Sequence, residues 1–104
     1  MTRPGEEHRV MKRFSRFVPV TMRILGDQPR EIQGITKDVS ETGIYLYTDV
    51  AVEAGVGVEL SFAMPKEVTL IVDMNVRAKG HVLRVTRSVE KFGVAITLDT
   101  FEVL

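Results

Sequence analysis

The chain contains no cysteine and no tryptophan. The first absence removes disulfides, thiolate metal sites and cysteine nucleophiles together, and it fits a reducing compartment. No apolar run approaches the roughly 20 residues that span a bilayer. The opening MTRPGEEHRVMKRF lacks the apolar stretch of a secretory signal. These absences lead us to expect a cytoplasmic protein without membrane insertion. Net charge is missing too, since 14 Lys and Arg balance 14 Asp and Glu. There are no internal repeats and no low-complexity tracts. No segment keeps a 3.6-residue apolar period over the roughly 10–12 residues a helix requires.

Catalytic patterns are equally scarce. Ser40 has no Gly-x-Ser-x-Gly elbow around it. Gly55-x-Gly57 is too short to be a phosphate-cradling loop. Glu53, Glu59 and Asp73 have no spacing that suits paired acid–base work. The two histidines, His8 and His81, lie far apart in the sequence, and a metal site would need more ligands than they supply. We therefore expect neither an enzyme nor a metal protein.

What remains is a single domain of 104 residues, 44% hydrophobic and 27% charged, a composition that suits one modest core. From Phe17 onward the text alternates. Val18, Val20, Met22 and Ile24 share one side of a strand. Gly26-Asp27-Gln28-Pro29 is a turn, and a second strand is predicted over residues 31–39. A tight turn from Ser40 to Gly43 leads into Ile44-Tyr45-Leu46-Tyr47-Thr48, rich in β-branched and aromatic residues. Further strands are predicted over residues 56–64, 68–71, 76–85 and 92–98, with a hairpin loop at Glu90-Lys91. Short strands at this spacing specify a sandwich or barrel. Our choice is an all-β, six- or seven-stranded antiparallel barrel. Residues 1–15 lack any period and are read as a flexible basic arm, leaving residues 16–104 for the barrel.

The zero net charge hides an asymmetry. Residues 1–30 hold seven basic groups against three acidic ones, and residues 31–104 hold seven against eleven. Positive charge gathers at the start, as Arg9, Lys12, Arg13 and Arg16. Guanidinium groups bind phosphate and the O6/N7 edge of guanine in bidentate fashion and stack on purines. A basic arm on a balanced body suits a small anion better than a long duplex. Taken alone, such a run is most often a solvated tail. The second feature is Asp38-Val39-Ser40-Glu41-Thr42-Gly43. Taken alone, it is a structural turn, in which Asp or Ser accepts backbone N–H bonds and Gly permits positive φ.

Together the two features resemble the PilZ domain family, whose ligand motifs are Arg-x-x-x-Arg and Asp/Asn-x-Ser-x-x-Gly. The second motif is complete at Asp38, Ser40 and Gly43. Ile44-Tyr45-Leu46 after it is also similar, as are Gly80-His81-Val82-Leu83-Arg84-Val85 and Phe92-Gly93-Val94-Ala95-Ile96. The likeness covers about residues 9–98. The first motif departs from the family's pattern. The register that ends directly before the strand pairs Lys12 with Arg16, and Arg13 lies between them. A second register, Arg9 with Arg13, fits the letters but ends three residues early. Lysine keeps the charge and loses the planar fork.

The resemblance implies a β-barrel that binds cyclic di-GMP. Lys12, Arg13 and Arg16, with Arg9 in reserve, would take phosphates and guanine edges. Asp38 and Ser40 would bond guanine or hold the arginines, and Gly43 would admit close backbone approach. The arm would wrap over the ligand and signal to a protein partner, as the family does in motility, biofilm and polysaccharide control. Two other readings stand beside this one. The first is a PilZ-like adaptor that has lost nucleotide binding, motivated by Lys12. The second is a small barrel for single-stranded nucleic acid, which the few aromatics (five Phe, two Tyr) and the zero net charge disfavour.

Overall fold

The computed structural model describes residues 14–15, 17–64 and 74–104. Six of the seven predicted strands are present, together with a two-residue strand that alternation did not show. In chain order they are β1 (Phe14–Ser15), β2 (Pro19–Ile24), β3 (Arg30–Val39), β4 (Gly43–Thr48), β5 (Gly57–Met64), β6 (Met74–Arg87) and β7 (Phe92–Val103). All pair antiparallel. The order β3-β2-β5-β6-β7-β4 closes through a β3–β4 pairing into a six-stranded barrel, and β1 adds to β3 beyond β2. Closure pairs the edges that an open sheet would leave exposed. No helix occurs among the described residues. The predicted strand at residues 68–71 lies outside them.

The interior is aliphatic. Val20, Met22, Leu46, Leu60, Met64 and Val94 are almost completely buried. Ile44, Leu46 and Thr48 of β4 face inward, which turns Tyr45 and Tyr47 outward. The two buried polar side chains are both used. Thr36 Oγ1 accepts the Val18 amide at 3.1 Å, and Thr48 Oγ1 donates to the Gln33 carbonyl at 3.0 Å. Thr36 N–H also donates to the Val18 carbonyl at 2.9 Å. The two Val18–Thr36 bonds tie the segment between β1 and β2 to β3.

Two strands run longer than expected. β7 continues to Val103 rather than stopping at Leu98. The reason is a register shift: Gly80 pairs with Leu98 but Lys79 with Thr100, so Asp99 is an extra residue. The inward phase then moves from Val94, Ile96 and Leu98 to Phe101 and Val103, which pack against the core. β6 shifts in the same way between Val82 and Arg84, leaving Leu83 as the extra residue, 57% exposed. Bulges of this kind break the alternation that marks a strand in sequence.

Candidate functional site

The Asp38–Gly43 motif forms the end of β3 and the turn into β4. Val39, fully buried, anchors it to the core. A third bulge decides how the motif presents itself. In β3, Ile32 and Thr36 point inward, so strict alternation would also send Asp38 into the barrel. The register shifts between Thr36 and Asp38, and Lys37 becomes the extra residue. Asp38 consequently pairs with the outward Tyr45 and lies half-buried on the outer face. A carboxylate that would have been costly inside the barrel is thereby re-aimed toward solvent.

Ser40 organises the turn. Its backbone N–H donates to the Gly43 carbonyl at 2.9 Å. Its hydroxyl oxygen accepts the Gly43 N–H at 3.1 Å and the Thr42 N–H at 3.3 Å. The hydroxyl also lies 3.2 Å from the Gly43 carbonyl and 3.3 Å from Thr42 Oγ1, with one proton to donate. The side chain thus stands in for a backbone acceptor and fixes the two-residue loop. Gly43 corrects an expectation. Positive φ occurs at Gly26 and Gly55 among the described residues, not at Gly43. At Gly43 a Cβ would sit 3.2 Å from the Ile96 carbonyl, so glycine there serves a close approach between β4 and β7.

The basic candidates Arg9, Lys12, Arg13 and Arg16 lie outside the described residues. Phe14, Ser15 and Phe17, which flank Arg13 and Arg16, do not. β1 pairs Phe14 with Val39 and Ser15 with Asp38, and Val18 is bonded to Thr36. The backbone on both sides of position 16 therefore runs along β3 beside the motif. The short β1 strand falls inside the stretch read as arm, next to its 15/16 boundary.

Around Asp38 the outer face carries two rows of side chains across four strands. One row is Asp38, Tyr45, Ala95 and Arg84; the next is Ile35, Tyr47, Gly93 and Thr86. The tyrosine rings meet edge to face, with centroids 5.5 Å apart and planes at 83°. Lys37 Nζ lies 5.8 Å from the Tyr45 ring centroid. A Cβ on Gly93 would collide with the Tyr45 hydroxyl, so that end of the ring lies directly over the glycine. Tyr45 and Arg84 did not stand out in the sequence as candidates. The outward phase of Tyr45-x-Tyr47 was the available signal, but tyrosine in a strand suits a core equally well.

A depression of 460 Å³ is lined by Phe17, Ile35, Tyr47, Asp49 and Lys91, among others. It lies toward the opposite end of the β3–β4 hairpin from Ser40. Phe17 is 73% exposed at its rim. No group of three metal-ligating side chains occurs among the described residues. His81 Nδ1 and Asp99 face each other at 3.6 Å, both exposed, on β6 and β7.

The family model described as PilZ domain matches residues 6–102. No curated protein sequence matches the chain. Among solved structures, the Bacillus subtilis inhibitor of motility (MotI/DgrA) superposes with a TM-score of 0.68 at 16% identity. That match covers 100% of this chain and 49% of the neighbour, so the chain spans about half of that protein's length. The likeness is one of fold.

Proposed function

The chain belongs to the PilZ domain family, and on that footing we propose that it is a non-catalytic receptor module for cyclic di-GMP. The observation that carries the reading is the β1–β3 register. Ser15 lies opposite Asp38, so the residue preceding Arg16 in the chain is paired with the first residue of the Asp-x-Ser-x-x-Gly motif. In this reading the two motifs, more than twenty residues apart in sequence, act on one ligand from neighbouring positions on β3 and beside it.

In this reading Arg16 and Arg13 hold the ligand's phosphates and guanine edges through planar bidentate bonds, and Lys12 adds a point charge. Asp38, turned outward by the bulge, accepts guanine N–H groups or fixes an arginine. Ser40 acts one step back, keeping the turn in the shape that presents Asp38. Closing the basic segment over the ligand costs conformational entropy and produces a large local change, which a protein partner reads. We place the module in the cytoplasm, where this second messenger acts.

Isothermal titration with cyclic di-GMP, using GTP and GMP as controls, tests the proposal. Selective saturable binding supports it. Absence of heat at high ligand concentration overturns it and favours a second reading, a PilZ adaptor that works through protein contacts alone. Lys12, in place of the family's arginine, is the observation behind that second reading.

A further inference from the structure

An aromatic ring on the outside of a small barrel has no packing duty inside it. The core here is filled by aliphatic side chains, methionines and Phe62. Tyr45 nonetheless has a fixed seat. Its phenol end lies over Gly93, where any side chain would collide with it. Gly93 is buried although its partners in the row, Tyr47 and Thr86, are at least partly exposed. Tyr47 braces the Tyr45 ring edge to face. Asp38 is the directly opposed residue on β3, within about 4.5–5.5 Å between Cβ atoms for such a pair. Ala95, on the other side in the same row, is too small to block access. The arrangement is an aromatic plate one strand away from a carboxylate that the bulge has turned outward.

We propose that Tyr45 is a base-stacking platform, seated by Gly93, against which one purine of the bound nucleotide lies. The inference rests on the receptor reading above and adds a contact that lies outside both ligand motifs. Stacking of a base on an aromatic face is tolerant of sequence and needs only an accessible π surface held flat. Lys37 Nζ lies over the ring, 5.8 Å from its centroid, and a base stacking on that face would displace this flexible side chain toward the ligand's phosphates.

The test uses the full chain and cyclic di-GMP as the probe. Tyr45→Leu keeps apolar cover over Gly93 and removes the π face; Tyr45→Phe keeps the face and removes the hydroxyl. Affinities come from calorimetry, and circular dichroism checks that each variant keeps its barrel. Tyr45→Leu is expected to weaken binding by about tenfold, within the range seen for loss of one stacked base, and Tyr45→Phe to restore most of that loss. The protein has two tyrosines and no tryptophan, so tyrosine emission provides a direct readout. Emission should be quenched at saturation in the Tyr47→Phe variant, where Tyr45 is the sole emitter. If the unaltered protein binds and Tyr45→Leu binds equally well, the platform is overturned and the receptor reading stands. If the unaltered protein shows no binding, both fall together.

Discussion

Two outer faces of the same barrel are built on opposite plans. On the β2–β5–β6 side, a row crosses the strands as Glu31, Arg23, Glu59 and Lys79, with charge alternating at every step. Beside it lie Thr21, Ser61 and Arg77 around a shallow polar depression. Each charge has an opposite neighbour, so the face presents no net field to an anion. On the β3–β4–β7 side the row is Asp38, Tyr45, Ala95 and Arg84, with an aromatic plate at its centre and charges only at its ends. One interior supports both. On the proposed reading, function on this fold resides in what the outward phase carries, and a single bulge suffices to move a residue into that phase.

The comparison can be broken most forcefully from the basic segment. Arg16→Ala should weaken cyclic di-GMP binding by at least ~30-fold, the scale of truncating one partner of a charge-assisted contact. Thermal unfolding should stay close to that of the parent protein. Retained affinity in calorimetry would detach the basic segment from the site. A change in the shared interior should affect both faces alike. Leu46 is fully buried, and Leu46→Ala should cost about 2–5 kcal/mol in denaturant unfolding through lost contacts and a cavity.

Smaller effects sharpen the contrast. Ser40→Ala leaves the Gly43 and Thr42 amides without their acceptor, and stability should drop by about 1 kcal/mol. Binding should weaken with it, because the turn that presents Asp38 loosens. Lys12→Arg restores the planar fork and should tighten binding several-fold, measured by the same titration. The smallest effect is expected on the charged face. Arg23→Ala should change stability by no more than ~0.5 kcal/mol, as exposed charges do, and should leave the affinity unaltered.

Much of the barrel was legible in the sequence because each inward strand face is a run of alternating aliphatic residues. Val18 to Ile24 and Ile44 to Thr48 read directly. Legibility ended at the three bulges. At Lys37, Leu83 and Asp99 an extra residue switches the phase, and nothing in the local composition marks the switch. For this reason β7 seemed to end at Leu98, and the motif's aspartate could not be assigned a direction. β1 was invisible because two residues carry no period. The turn at Ser40 was readable as a motif, but the basis of its glycine was not, since that lies in a cross-strand neighbour, Ile96. Likewise the seat of Tyr45 depends on Gly93, nearly fifty residues away in the chain.

Amide chemical-shift mapping during a cyclic di-GMP titration tests the central claim most directly. The account predicts saturable shifts at Asp38, Ser40, Gly43 and Tyr45, with the amides of Arg23, Glu31 and Glu59 unmoved. Shifts confined to the charged face, or none at all at saturating ligand, would contradict it.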